Sequence, residues 1–173
     1  MSKAAVARLS AILGSRVLGT SAPGAADDEV RVAPADFRVA AEALRDDVEL
    51  ACDHFLDLTA VDYPEREPER PRFDVVFRVR STTKRHRISV RTEVQDGGEV
   101  PSVVSVWAGA NWAEREAFDM FGVRFAGHPD LRRILMYDEF VGHPLRKDYP
   151  IDRAQPLVPY REDPGITKLA PFG

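Results

Sequence analysis

The chain has 173 residues, 44% of them hydrophobic and 30% charged, the composition of one globular domain that can bury a core without covalent staples. Its 28 acidic against 24 basic residues leave a net charge of −4, so no overall basic excess draws in nucleic acid by counterion release. The single cysteine, Cys52, excludes an internal disulfide framework and any iron–sulfur cluster or zinc site built from this chain's own thiolates. Within "ELACDHF" it reads as a small buried hydrophobe.

The N-terminal "MSKAAVARLSAILGSRVLG" reads as a helix of the domain rather than a secretory leader, since Arg8 and Arg16 interrupt an apolar run already too short to span a bilayer. Val6, Leu9, Ile12, Leu13 and Val17 recur at helical spacing and predict an amphipathic helix. Residues 19–28 read as a loop and 29–33 as a short strand. Pro34 suits a helix start, and Phe37, Ala40, Ala41 and Leu44 line one face of a helix ending near Arg45 or Asp46. Residues 54–63 fit a helix end or a strand, with the second half read as strand. Pro64, Pro68 and Pro71 make 64–72 a loop. Residues 73–81 and 86–94 alternate as strands, and the short "TTK" connection joins them as a hairpin. Asp96-Gly97-Gly98 marks a turn, and 101–107 is a short strand or a turn of helix.

Helices first and a strand meander after them predict an α+β domain with a small mixed or antiparallel sheet and flanking helices, followed by an extended C-terminal arm. The organisation expected is an N-terminal helix and loop (1–28), the domain (29–151) and a proline-rich arm (152–173). The arm is too poor in periodic apolar residues to fold on its own domain. Its Leu157, Val158, Tyr160, Ile166, Leu169 and Phe172 suit a groove on a neighbouring subunit.

The densest chemistry lies in "NWAEREAFDMFG" (111–122). Asn111 and Glu114 have the spacing of a capping box, and Gly122 supplies a left-handed stop, so a helix is expected over 112–121. Glu114 falls on the apolar face, where capping accounts for it. Arg115 and Asp119 form a weak surface pair, and Glu116 is a solvated glutamate near Met120. Glu114 and Glu116 point to different faces and cannot act as an acid/base pair. Glu116, Asp119, His128 and His143 are residue types that ligate metals, but no His-containing pair has the spacing of two ligands on one helix face. Arg132-Arg133 and Arg146-Lys147 are short and each lies beside an acid, Asp130 or Asp148. A short echo, "GHPDLRR" and "GHPLRK", places Pro129 and Pro144 after the two histidines and forces each into extended backbone. Such a segment is at home between subunits, which favours an interaction protein over a free enzyme.

"NWAEREAFDMFGVRFAGHPDLRRIL" (111–135), followed by "GHPLRKDYPI" (142–151), resembles the signature of one family of respiratory complex I, the proton-pumping NADH:quinone oxidoreductase. That family is the peripheral-arm subunit next to the quinone-site subunit. "DLTAVDYP" (57–64) and "RFDVVFRV" (72–79) resemble the middle of the same family, so the likeness covers about residues 30–151. It implies a peripheral-arm protein, at the cytoplasmic face of a bacterial cell membrane, which holds no redox group and no catalytic residue. FMN, iron–sulfur clusters and quinone would belong to partner subunits. The implied partners are the quinone-site subunit and the iron–sulfur subunits, with no nucleic acid and only indirect membrane contact. The implied docking or bracing positions are Glu114, Arg115, Glu116, Asp119, Gly122, His128, Pro129, Arg132, Arg133, His143, Pro144, Arg146, Lys147, Asp148 and Tyr149. For Arg115 the expectation is a carboxylate partner at a subunit boundary. An equivalent subunit of an energy-converting hydrogenase or another complex-I-like oxidoreductase is the nearest alternative, and a metal-dependent hydrolase the most distant.

Overall fold

A computed structural model describes residues 2–21 and 28–158. The elements in order are helix α1 (Ser2–Leu13), a 3-10 turn (Gly14–Arg16), strands β1 (Val17–Thr20) and β2 (Glu29–Val32), and a 3-10 turn (Pro34–Asp36). Helix α2 (Phe37–Asp46), β3 (His54–Asp62), β4 (Phe73–Arg80), β5 (Arg87–Val94), β6 (Glu99–Pro101), α3 (Ala110–Phe121) and β7 (Arg124–Ala126) follow. The main sheet has the order β1-β2-β5-β4-β3 and is antiparallel except between β2 and β5; β6 and β7 form a separate parallel pair. This is the α+β class with a mixed sheet that the element order predicts.

Three local expectations change. The first helix stops before Val17, because Gly14 turns the chain at φ +57° and Val17 then pairs with Val32 in β1. Residues 54–62 are strand throughout, since β3 pairs with β4 along nearly its whole length across one irregularity near Phe55–Asp57. Between 101 and 107 the strand ends at Pro101 and a turn follows, in which the Trp107 amide donates to the Val103 carbonyl at 3.0 Å. Strand β7 was not anticipated, because its three residues carry too little pattern of their own and depend on β6 for pairing.

The period of two in β4 separates the faces of the sheet. Phe73, Val75, Phe77 and Val79 enter the core, where Phe37 of α2 meets the Phe77 ring edge-on at 4.9 Å and Trp107 lies 5.8 Å away. Helix α1 joins this core through Ala5, Leu9 and Leu13, while Ile12 is exposed. Cys52 is buried there as expected, and burial first, then Asp53, pushes its thiol up to about 12.

The opposite face carries charge. Arg91 on β5 reaches Glu29 of β2 at 2.8 Å and Asp74 of β4 at 2.7 Å, and Arg66 from the 64–72 loop closes on Asp74 at 2.7 Å. Burial works against the Asp74 charge, but Arg66 and Arg91 outweigh it and hold the carboxyl below its usual range. The proline-rich loop is thereby tied to the sheet.

Beyond the turn at 151–152, residues 153–158 form no helix or strand. Gln155 accepts from the Val141 amide at 2.9 Å and donates to its carbonyl at 3.3 Å. The rest of the predicted arm, with Tyr160, Ile166, Leu169 and Phe172, lies outside the described residues. The core predicts its own sensitivity. Phe77→Ala removes a ring packed against Phe37 and Trp107 and should lower the unfolding free energy by about 3–5 kcal/mol in urea titration. Truncation of the half-exposed Arg31, by contrast, should cost under about 1 kcal/mol.

Candidate docking interface

Helix α3 and the segment that wraps it, residues 127–149, form one unit. The helix begins two residues earlier than the capping-box pattern predicts, at Ala110, with Gly109 at its N-cap and no side-chain cap bond. Glu114 therefore does not cap. It is fully buried, and its Oε1 accepts from the Val103 amide at 2.7 Å, tying α3 to the turn after β6. The other oxygen, Oε2, has no hydrogen-bond partner among the described residues. Burial pushes the carboxyl up to about 7, opposed by the Ser102 hydroxyl and the Val103 amide. The Ser102 oxygen itself accepts from the Val104 amide at 3.2 Å, which leaves its proton to turn toward Glu114.

Asp119 is the centre of the unit. The predicted surface pair with Arg115 does not form, because Asp119 is turned inward and fully buried. Its Oδ1 receives Arg133 at 2.6 Å, and its Oδ2 accepts from the amides of Ile134, Leu135 and Met136 at 3.1, 2.8 and 2.9 Å. Burial raises its pKa, but the three amides and Arg133 together outweigh that and hold it below the carboxylate range. Arg115 has no carboxylate partner among the described residues. It instead donates to the carbonyls of Arg132 and Arg133 at 3.0 and 3.1 Å and lies 5.3 Å from the Trp112 ring.

The end of α3 explains the second half of the echo. The last four carbonyls of a helix lack partners within it. Here the Gly122 amide takes Phe118, His143 Nδ1 donates to Asp119, the Leu145 amide donates to Met120, and Arg146 Nε donates to Phe121, at 2.9, 2.9, 3.1 and 2.6 Å. "GHPLRK" is a cap built from a distant loop. Gly122 is at φ +81°, as its predicted role as helix stop requires, and a Cβ there would sit 2.6 Å from Arg146 and 2.7 Å from His143. Burial first, then the Arg146 and Arg133 charges, lower the His143 pKa against the opposing hydrogen bond to the Asp119 carbonyl. The first half of the echo acts at the other end: His128 Nε2 donates to the Asn111 carbonyl at 3.3 Å, and its Nδ1 accepts from the Asp130 amide at 3.0 Å.

The remaining positions divide clearly. Arg146 also pairs with Asp96 at 2.9 Å. Asp148 receives Arg72 at 2.8 Å, and Arg72 grips the buried Asp62 at 2.7 Å, which in turn accepts from the Lys147 amide at 2.8 Å. Tyr149 stacks on Phe140 at 6.0 Å and receives a short hydrogen bond from Gln155. Arg132 pairs with Asp130 at the surface, Pro129 and Pro144 lie in the wrapping loops, and Glu116 and the Lys147 side chain are exposed. Asp62, Arg72 and Asp96 were missed by pattern reading. They lie far from the segment in sequence, and Asp96 reads as an ordinary turn residue.

The candidate metal ligands are not brought together: Asp119 is committed to Arg133 and three amides, His128 and His143 to separate carbonyls. Among the described residues no group of three or more His, Cys, Asp or Glu is placed to hold a metal. Large apolar side chains also face outward. Trp112, Leu135, Val141 and Leu145 are 65, 55, 46 and 51% exposed, on a segment otherwise fixed by hydrogen bonds.

The fold and this braced segment define a respiratory-complex type of domain: residues 30–155 match the family described as respiratory-chain NADH dehydrogenase, 30 Kd subunit. The chain belongs to that family. An NADH-quinone oxidoreductase subunit of Roseiflexus castenholzii is 45% identical over 91% of this chain and 89% of its own length. The protein of the same name from Hyphomonas neptunium is 54% identical over 62% of this chain, which spans about half (52%) of that relative. Among solved structures, the trypsin-resistant fragment (1-134) of Nqo5 superposes with a TM-score of 0.62 at 25% identity, covering 76% of this chain and all (100%) of the fragment. A chain of an archaeal membrane-bound sulfane sulfur reductase shares the fold, with a TM-score of 0.62 at 23% identity, over 86% of this chain and 85% of its own.

Two carboxyls of opposite sign follow from this geometry. Asp119→Asn should strand Arg133 and loosen 133–136, costing on the order of 3–5 kcal/mol in unfolding of the isolated chain. The stability Asp119 supplies is present above its unfolded pKa and lost as pH falls through its lower folded value. Glu114 runs the other way. With its folded pKa raised to about 7, its contribution is complete below about 4.5 and lost as pH rises through about 7. Glu114→Gln should therefore gain on the wild type by about 3 kcal/mol between pH 5 and pH 8. Parallel unfolding curves across that range would contradict the buried-acid assignment.

Proposed function

We propose that the chain is a non-redox scaffold of the peripheral arm of an NADH:quinone oxidoreductase, docking to the quinone-site and iron–sulfur subunits through the α3 unit. The observation that carries this reading is a set of exposed apolar side chains on a hydrogen-bonded segment. Trp112, Leu135, Val141 and Leu145 are held outward by backbone that Asp119, Arg133, His143 and Arg146 lock in place. Apolar side chains fixed in advance lose little entropy on docking, and aromatic anchors of this kind dominate interface energies. Family membership supports the assignment to a multisubunit oxidoreductase. Electron transfer from NADH to quinone, coupled to proton translocation, would then be an activity of the assembled enzyme, with FMN, iron–sulfur clusters and quinone held by partner subunits. The chain's part is positional: it would fix cofactor-bearing neighbours relative to one another. No described helix is long and apolar enough to cross a membrane, so membrane attachment through partners fits this part of the chain.

Within the proposal, the signature residues serve two purposes. Asp119, Gly122, Arg133, His143, Arg146 and Asp148 brace the segment internally, whereas Glu116, Arg132 and Lys147 present solvent-facing charge around the apolar surface. The C-terminal arm, residues 152–173, would extend the contact along a neighbouring subunit. An equivalent place in a hydrogenase-type complex would use the same surface. The subunits that co-purify with the chain from native membranes discriminate the two, an NADH-oxidising flavoprotein supporting the first reading and a hydrogenase large subunit the second.

The surface itself is tested by the double variant Trp112→Ala/Leu135→Ala. Its isolated melting temperature should match the wild type, because both side chains are exposed. Its docking affinity should fall by about 2 kcal/mol, roughly 30-fold, read as loss of the chain from the purified complex. Undiminished incorporation would place the docking surface elsewhere.

A further inference from the structure

The β4–β5 hairpin, at the opposite end of the sheet from Asp62 and Arg72, carries "RSTTKRHR" (80–87). Along β4 the two ends are roughly 25 Å apart. The side chains of Arg80, Lys84, Arg85 and Arg87 are exposed, and none of the four has an ion-pair partner among the described residues. By contrast, Arg66, Arg72, Arg91, Arg133 and Arg146 all hold carboxylates at 3.0 Å or less. A chain of net charge −4 has thus gathered on one turn four cations that the described residues leave unpaired. Arg80, Arg85 and Arg87 line a concavity of about 440 Å3 together with Ser81, Thr82 and His86.

The turn is also held in shape. Asp53 accepts from the Thr82 amide at 2.9 Å and takes a short hydrogen bond from the Thr82 hydroxyl, and it forms an ion pair with none of the four cations. Ser81 Oγ accepts from the Lys84 amide at 3.1 Å, and the Ser81 carbonyl accepts from the Arg85 amide at 3.0 Å. Arg85 is at φ +56°, a left-handed conformation in which Asn or Gly is the usual occupant. His86 lines the floor of the concavity, mostly buried, with its Nε2 3.7 Å from the Cys52 sulfur.

We infer that this hairpin is a second docking site, which receives an acidic segment of a neighbouring subunit. Carboxylates are the chemistry that four cations on a fixed turn recognise. A protein partner is favoured over an anionic lipid surface by shape. The site is concave and lined by polar groups, and residues 80–87 expose no large apolar side chain that would enter a bilayer. The inference rests on the reading of the chain as a docked subunit, but it uses a different surface from the α3 unit.

Carbodiimide treatment of the intact complex tests it, since that reagent joins an amine only to a carboxylate already in contact. Lys84 should be linked to an Asp or Glu of another subunit, and Lys84→Gln should abolish the link. Arg85→Glu/Arg87→Glu should leave the isolated melting temperature unchanged and release the chain from the complex at lower salt. A chain present in the complex whose Lys84 links to nothing, or only to its own carboxylates, would overturn the hairpin site alone. Failure of the wild-type chain to enter any complex would bring down both readings. Co-sedimentation of the free chain with phosphatidylglycerol vesicles, lost in the double variant, would replace the acidic segment with a lipid headgroup.

Discussion

The Asp119 carboxylate has no access to water, and a charge in that position survives only if every lone pair is met. Arg133 and three successive amides meet them, which means the carboxylate dictates the path of residues 133–136. Those four positions place Leu135 outward and bring Arg133 to the Gly142 carbonyl at 2.9 Å, so the next stretch of chain is directed as well. A segment with no helix or strand of its own acquires one conformation because a single buried anion needs its backbone.

The same logic runs through the helix end. The terminal carbonyls of α3 would ordinarily be left to solvent, and the "GHPLRK" loop supplies a ring nitrogen, an amide and a guanidinium to them. Arg146 then links this cap to Asp96, while Asp148 is linked through Arg72 to Asp62 at the end of β3. The wrapping segment is therefore bound to the sheet at two further points. Irregular backbone usually costs entropy on docking; here much of that ordering is complete before any partner arrives.

Charge is distributed in three ways in this molecule, and each suits a different task. Buried pairs at Asp62, Asp74 and Asp119 hold loops to regular structure. Glu114 is instead an acid without a countercharge among the described residues, tolerated in the core because it can stay protonated and hold the Val103 amide. The hairpin at 80–87 is the reverse case, cations that the described residues leave without carboxylates on a fixed turn. The first arrangement is complete within the described residues. The third presents its charge to solvent.

Periodicity and turn residues were enough to read the helix at 37–46, the β4–β5 hairpin and the α+β class, and Gly122 marked the end of the helix expected over 112–121, because these are local signals. Composition alone identified Cys52 as a buried hydrophobe and argued against clusters built on its own thiolates. The residue pattern at 111–135 and 142–151 was sufficient for the family. Local spacing failed where the partner was remote. Asn111 and Glu114 have the spacing of a cap, yet Glu114 serves Val103; Arg115 and Asp119 are four apart, yet Asp119 serves Arg133. In each case a tertiary bond to a buried group outweighs a solvated neighbour, because desolvation makes an unmet charge far more costly than a lost surface pair is worth. Which residues brace the segment and which face outward was thus decided by folding, when distant amides and guanidinium groups reached the carboxylates and carbonyls of α3.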